Sequence, residues 1–88
     1  MTAVATPWGK ASVIEETSVP QRAGERRFGS LVQLLETEKG ETLVRFAYTT
    51  DGSVRRGPVT FRARDLERLH AGLERAPRLR AALEARRA

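Results

Sequence analysis

Arg55-Arg56-Gly57 is the segment of this chain best suited to chemistry. A guanidinium grips a phosphate through two parallel N–H bonds, and a glycine lets that phosphate come close to the backbone. A solvated hairpin arm would have the same composition. Arg45 and Arg62 occupy alternating positions of two predicted strands, on the parity expected to face outward, and so predict a basic stripe across one sheet face. A stripe of that kind follows the backbone of a single nucleic-acid strand. Lys10 and Lys39 add charge. Bases also need flat surfaces to stack on, and Trp8, Phe28, Tyr48 and Phe61 are the candidates. Trp8 beside Lys10 suits either stacking or a structural plug over the sheet edge, and Tyr48 at a strand end suits either stacking or packing. Phe46 and Phe61 alternate with polar residues and are expected in the core.

Other chemistries lack their parts. His70, the single histidine, lies beside Leu69 and Leu73 and excludes a multi-histidine metal site. There is no cysteine, hence no disulfide and no thiolate ligand. Ser30 and Ser53 have no evident base, and Glu15-Glu16, Glu36 and Glu38 suit solvated strand edges better than acid–base pairs. The glycines follow no phosphate-loop spacing. We therefore expect no catalytic residue, no metal and no cofactor.

Charge is unevenly placed along the 88 residues. The net charge is +5, yet residues 1–54 carry six basic and seven acidic side chains, while residues 55–88 carry ten arginines against four acids. A basic half favours nucleic acid, an anionic membrane or an acidic protein as partner. Arginine outnumbers lysine fourteen to two, a bias that codon usage alone can produce. No segment approaches the roughly 20 apolar residues of a membrane span, and no secretory signal is visible, so a cytoplasmic location is expected, at the nucleoid if the partner is DNA.

These residues need a scaffold. Residues 1–10 read as a flexible N-terminal arm and residues 11–88 as one small domain. A first strand over 11–19 is ended by Pro20. A second follows over 27–37, a third over Thr42 to Thr50, and a fourth around Val59 to Arg62. Glu38-Lys39-Gly40-Glu41 and Asp51-Gly52 supply the turns. Leu66, Leu69, Leu73 and Ala76 form a helical stripe from about Arg64, kinked at Pro77, with a last helix over Arg78 to Arg87. The fold class is α+β: a four-stranded antiparallel sheet followed by a C-terminal kinked helix (β-β-β-β-α). Apolar residues fall on both parities of the second strand. They call for a second covering surface, such as a dimer partner, or for a bulge near Gly29.

The run LVRFAYTTDG, the turn VRRG, the strand VTF and the helix RDLERLHAGL with its tail PRLRAAL resemble the single-stranded-DNA-binding core of the positive cofactor four family of transcriptional coactivators and its bacterial relatives. The resemblance covers about residues 27–84. Two departures are the hairpin TTDGSV, which lacks an aromatic, and Pro58, which adds a residue before the strand. The resemblance implies a homodimer joined largely through its helices, single-stranded DNA bound with little sequence preference, and no metal or enzymatic activity. The expected partners are thus single-stranded DNA or RNA, a second copy of the chain and the transcription machinery, with no membrane. The alternative is a protein-interaction module that docks an acidic partner through a sheet edge or helix face.

Overall fold

The computed structural model describes residues 3–50, 53–54 and 58–84. They form an antiparallel curled sheet followed by two short helices, an α+β arrangement. The strands are β1 (Ala3–Thr6), β2 (Gly9–Ala23), β3 (Arg26–Thr37), β4 (Thr42–Thr50), β5 (Ser53–Val54) and β6 (Val59–Arg62). A 3-10 turn, Ala63–Asp65, leads into α1 (Leu66–Leu73) and α2 (Pro77–Leu83). The sheet runs β1-β2-β3-β4, and β5 and β6 both pair with β4 on its far side.

The expected arm, residues 1–10, instead supplies β1 and the turn into β2. Thr6 Oγ1 donates to the Gly9 carbonyl at 2.6 Å and accepts the Trp8 N–H at 3.1 Å, while Gly9 takes φ +104°. Only glycine enters that region without strain, so the hairpin is written into Thr6-Pro7-Trp8-Gly9. The first strand also passes through Pro20, which pairs with Gly29, and continues to Ala23. Proline is tolerated there because β2 beyond Ser12 has β3 on one side and no strand on the other among the described residues. The register shift is in β2, at Ile14, and not near Gly29, where pairing is unbroken.

Cross-strand register sorts the side chains into rows, because directly paired residues share a face. On one face Val13, Leu35, Leu43 and Arg62 form a row over β2, β3, β4 and β6, and Glu16, Gln33, Arg45 and Thr60 form the next. Ala11, Leu35 and Leu43 are buried on this face, with Val4 and Val13 packed against them. On the other face lie Leu34, Val44 and Phe61, then Val32, Phe46 and Val59, then Ser30 and Tyr48. The sequence pattern separates these two faces correctly but assigns the core to the wrong one. Phe46 is 40% exposed, whereas Arg45 is buried at 7%. Phe46 and Phe61 still meet edge to face, with centroids 6.2 Å apart.

The helices cover little of either face. Leu66, Leu69 and Leu73 are half-buried, and no residue of α1 or α2 is buried. Pro77 occupies the first turn of α2, where its missing N–H costs nothing, so the expected kink is a break between two helices. Arg80 bridges that break, holding Glu74 at 3.0 Å and Glu84 at 3.2 Å. The chain exposes 7266 Å², against roughly 5,200 Å² expected for a folded monomer of its mass. Its radius of gyration is 14.6 Å, against about 12 Å for a closely packed domain of this length.

Leu35 is fully buried between Val13 and Leu43. Leu35→Ala is expected to destabilise the fold by about 2–5 kcal/mol, read as the change in urea unfolding. A cost under about 1 kcal/mol would mean that these rows are not the core.

Candidate nucleic-acid interface

The residues with binding chemistry divide between two ends of the sheet. At the first end, the β1–β2 turn presents Trp8, β6 ends in Arg62, and the β3–β4 turn carries Lys39. The Arg62 guanidinium carbon lies 5.7 Å from the centroid of the Trp8 ring. In sheet order β3 and β4 separate β2 from β6, and a flat sheet would hold β2 and β6 roughly 14 Å apart at ~4.8 Å per step. The curl brings the two side chains together over the leucine row. Trp8, 38% exposed, also lines a cleft of about 390 Å³ with Thr37, Lys39, Gly40 and Glu41. Lys10 is exposed on β2, opposite Ala5.

Arg62 is already engaged. Its Nε donates to Asp65 Oδ2 at 2.7 Å and its Nη2 to Oδ1 at 3.3 Å, a forked pair across the 3-10 turn. These hydrogen bonds, reinforced by the mutual attraction of the charges, hold the Asp65 carboxyl below its ordinary range and the Arg62 guanidinium above its own. Because Asp65 is held this way its carboxylate does not cap α1. Glu67 supplies the acidic residue of the first turn instead.

Arg45 is turned inward, not outward as its alternation with Val44 and Phe46 predicts. Its Nε donates to Gln33 Oε1 at 2.8 Å, and Gln33 Nε2 donates to Glu16 Oε1 at 2.8 Å. This polar row crosses three strands on the core face. Tyr48 is on the opposite face, so the sheet itself separates the expected stacking residue from Arg45 and Arg62.

Tyr48, 49% exposed, belongs to the second end. There it lines a cleft of about 340 Å³ with Ala23, Arg26, Arg27, Phe28 and Thr50. A second groove of about 310 Å³ continues from Tyr48 past Ser30, Val32, Phe46, Pro58 and Val59. The turn from Arg22 to Arg27 carries three arginines against Glu25. Arg22 Nε is bonded to the Gly24 carbonyl at 2.7 Å, whereas Arg26 and Arg27 take part in no ion pair among the described residues. The sequence reading passed over Arg26 and Arg27, although Arg26-Arg27-Phe28 is a contiguous basic–aromatic run. Their value depends on the β3–β4 register, which sets Phe28 diagonally across from Tyr48. Arg55, Arg56 and Gly57, with Asp51 and Gly52 of the preceding turn, lie outside the described residues. Among the described residues no cluster of three or more His, Asp or Glu side chains is placed to hold a metal ion, and no helix is long and apolar enough to cross a membrane.

The depressed Asp65 carboxyl sets a pH dependence. A carboxylate whose folded value lies below its unfolded value of about 3.9 contributes stability above that pH and loses it as pH falls through the folded value. Thermal unfolding of Asp65→Asn should therefore differ from the parent at neutral pH, and the gap should narrow as the solution is acidified through and below the ordinary carboxylate range. A gap unchanged over that range would remove the ion pair as its cause.

Searches against protein-family models, curated proteins and solved structures return no match, so the functional reading rests on the chemistry of the two ends.

Proposed function

We propose that this protein is a non-enzymatic, homodimeric single-stranded nucleic-acid-binding protein, with DNA as its natural target and little preference for sequence. The observation that carries this reading is the half-exposed Tyr48 in a cleft with Arg26, which forms no ion pair among the described residues. An aromatic face beside guanidinium groups is the minimal unit for holding a base and its phosphate. The resemblance of the third-strand and helix segments to the positive cofactor four family points the same way and suggests a role in transcription or DNA maintenance, in the cytoplasm or at the nucleoid.

Dimerisation is supported by surface area. The chain carries about 2,000 Å² more accessible surface than its mass predicts. Obligate homodimers bury ~1,000–2,500 Å² on each partner, so a second copy would absorb the excess. The rows Leu34–Val44–Phe61 and Val32–Phe46–Val59 are apolar, and Leu79 and Leu83 stand 54% and 63% exposed on α2. These are the surfaces a partner copy would cover. The same two leucines, flanked by Arg78 and Arg80, support the second reading, in which α2 docks an acidic protein.

Binding of oligo-dT is expected at low salt and should weaken steeply as salt rises, since each neutralised phosphate adds about 0.7 to the log–log slope. Arg55→Ala with Arg56→Ala should lower that slope by roughly 1.4. Sedimentation should return twice the chain mass. Absence of oligo-dT binding at low salt, with retained affinity for an acidic peptide, would select the docking reading.

A further inference from the structure

The cleft at the second end is more enclosed than stacking on an open strand requires. Phe28 and Tyr48 are diagonal neighbours on adjacent strands: Ser30 pairs with Tyr48, and Phe28 stands two residues before Ser30 on the same face. Diagonal neighbours have Cβ atoms roughly 7–8 Å apart, so one flat ring fits in contact with both. Phe28 is half-buried and firmly placed in a strand with neighbours on both sides, whereas Tyr48 is half-exposed at the rim. Ala23 adds an apolar wall. The volume, about 340 Å³, is near the lower end of the ~300–1,000 Å³ typical of small-ligand sites. Arg26, two residues before Phe28 on the same strand face, lines this cleft and forms no ion pair among the described residues.

We propose that this cleft is a seat for one unpaired nucleotide, its base held between Phe28 and Tyr48 and its phosphate on Arg26. The inference rests on the single-strand-binding reading and narrows it to one defined subsite. Two aromatic surfaces recognise a planar ring of any base, and the Arg26 guanidinium recognises the dianionic or bridging phosphate attached to it. The combination excludes a simple aliphatic anion, which gains nothing from the rings. It also excludes an uncharged planar ligand, which leaves Arg26 without a counter-ion. A duplex cannot use the seat, because a base must leave its stack to enter a cleft of this size. The seat thus gives the protein a reason to prefer unpaired strands, strand ends or displaced bases over double helix.

The test compares oligo-dT, its duplex with oligo-dA, and thymidine monophosphate, each added to the full chain. Phe28→Ala and Tyr48→Ala are each expected to weaken oligo-dT binding about tenfold, the typical cost of losing one stacked base, and to narrow the preference over duplex. Arg26→Gln should reduce the salt slope by roughly 0.7 and leave a smaller change in preference. Thymidine monophosphate should shift the amide signals of Arg26, Arg27, Phe28 and Tyr48 in the unsubstituted protein, a readout that needs no variant to fold. If the unsubstituted protein binds oligo-dT but the three variants match it, and the mononucleotide shifts none of these signals, the seat is overturned while the single-strand reading stands. If the unsubstituted protein does not bind oligo-dT at all, the reading itself falls and the seat with it.

Discussion

The meeting of Arg62 with Trp8 is the constraint on which the rest of the shape depends. Three strands carry most of the sheet, and the helices, none of whose residues is buried, cover little of it. Burial of Leu35 and Leu43 must come from the sheet curling on itself and from the N-terminal hairpin folding over the row. Trp8 reaches in from that hairpin and Arg62 from the last strand, and their contact closes the curl. A cation above an indole face contributes only about 0.5–1 kcal/mol where both remain partly solvated. Its importance is geometric. The same guanidinium forks onto Asp65, so one side chain fixes the curl of the sheet and the direction in which the chain leaves it for α1.

Curling toward one face determines the character of both. The inner face closes around a small apolar cluster and must also accommodate the row that follows it, Glu16, Gln33 and Arg45. A buried guanidinium is tolerable only with acceptors in place, and a hydrogen bond to a charged group is worth about 1.5–3 kcal/mol because losing it leaves a desolvated donor. Gln33 supplies the acceptor and donates its own amide N–H to Glu16, so one neutral amide links the buried guanidinium to a carboxylate at the exposed end of the row. The outer face has no such closure. Its leucine, valine and phenylalanine rows stay partly open, and its aromatics end at the arginine-bearing turn.

The sequence showed more about periodicity than about enclosure. Alternation placed Val44, Phe46 and Tyr48 together and Val59 with Phe61, and Pro77 marked the helix break to within a residue. Alternation cannot say which of two faces is covered, because that depends on where the rest of the chain goes. Val32 and Leu34 look as apolar as Leu31 and Leu35, and only the hairpin carrying Trp8 decides between them. That hairpin was missed because Ala3-Val4-Ala5-Thr6 is too short to display a period, and its turn depends on the positive φ of Gly9. Arg45 was misplaced for the same reason, since a charged residue at an alternating position reads as solvent-facing unless its partner on the next strand is known. The aromatic candidates were visible by type, but the pairing of Phe28 with Tyr48 needed the β3–β4 register.

An open apolar face beside an open strand edge would ordinarily invite uncontrolled pairing, and the chain treats the two differently. The outer edge of β2 is broken by the irregularity at Ile14, carries Glu15 and Glu16, and contains Pro20, which cannot donate to an incoming strand. Bulges, charges and proline are the usual defences of an edge against addition of another strand. On the outer face the rows from Leu34 to Val59 are free of charge across β3, β4 and β6, and Glu15 carries a charge only at their β2 end. An edge that is guarded and a face that is not leave face-to-face burial as the favoured mode of association. Such burial would leave the arginine turn at the rim, where a ligand could still reach it.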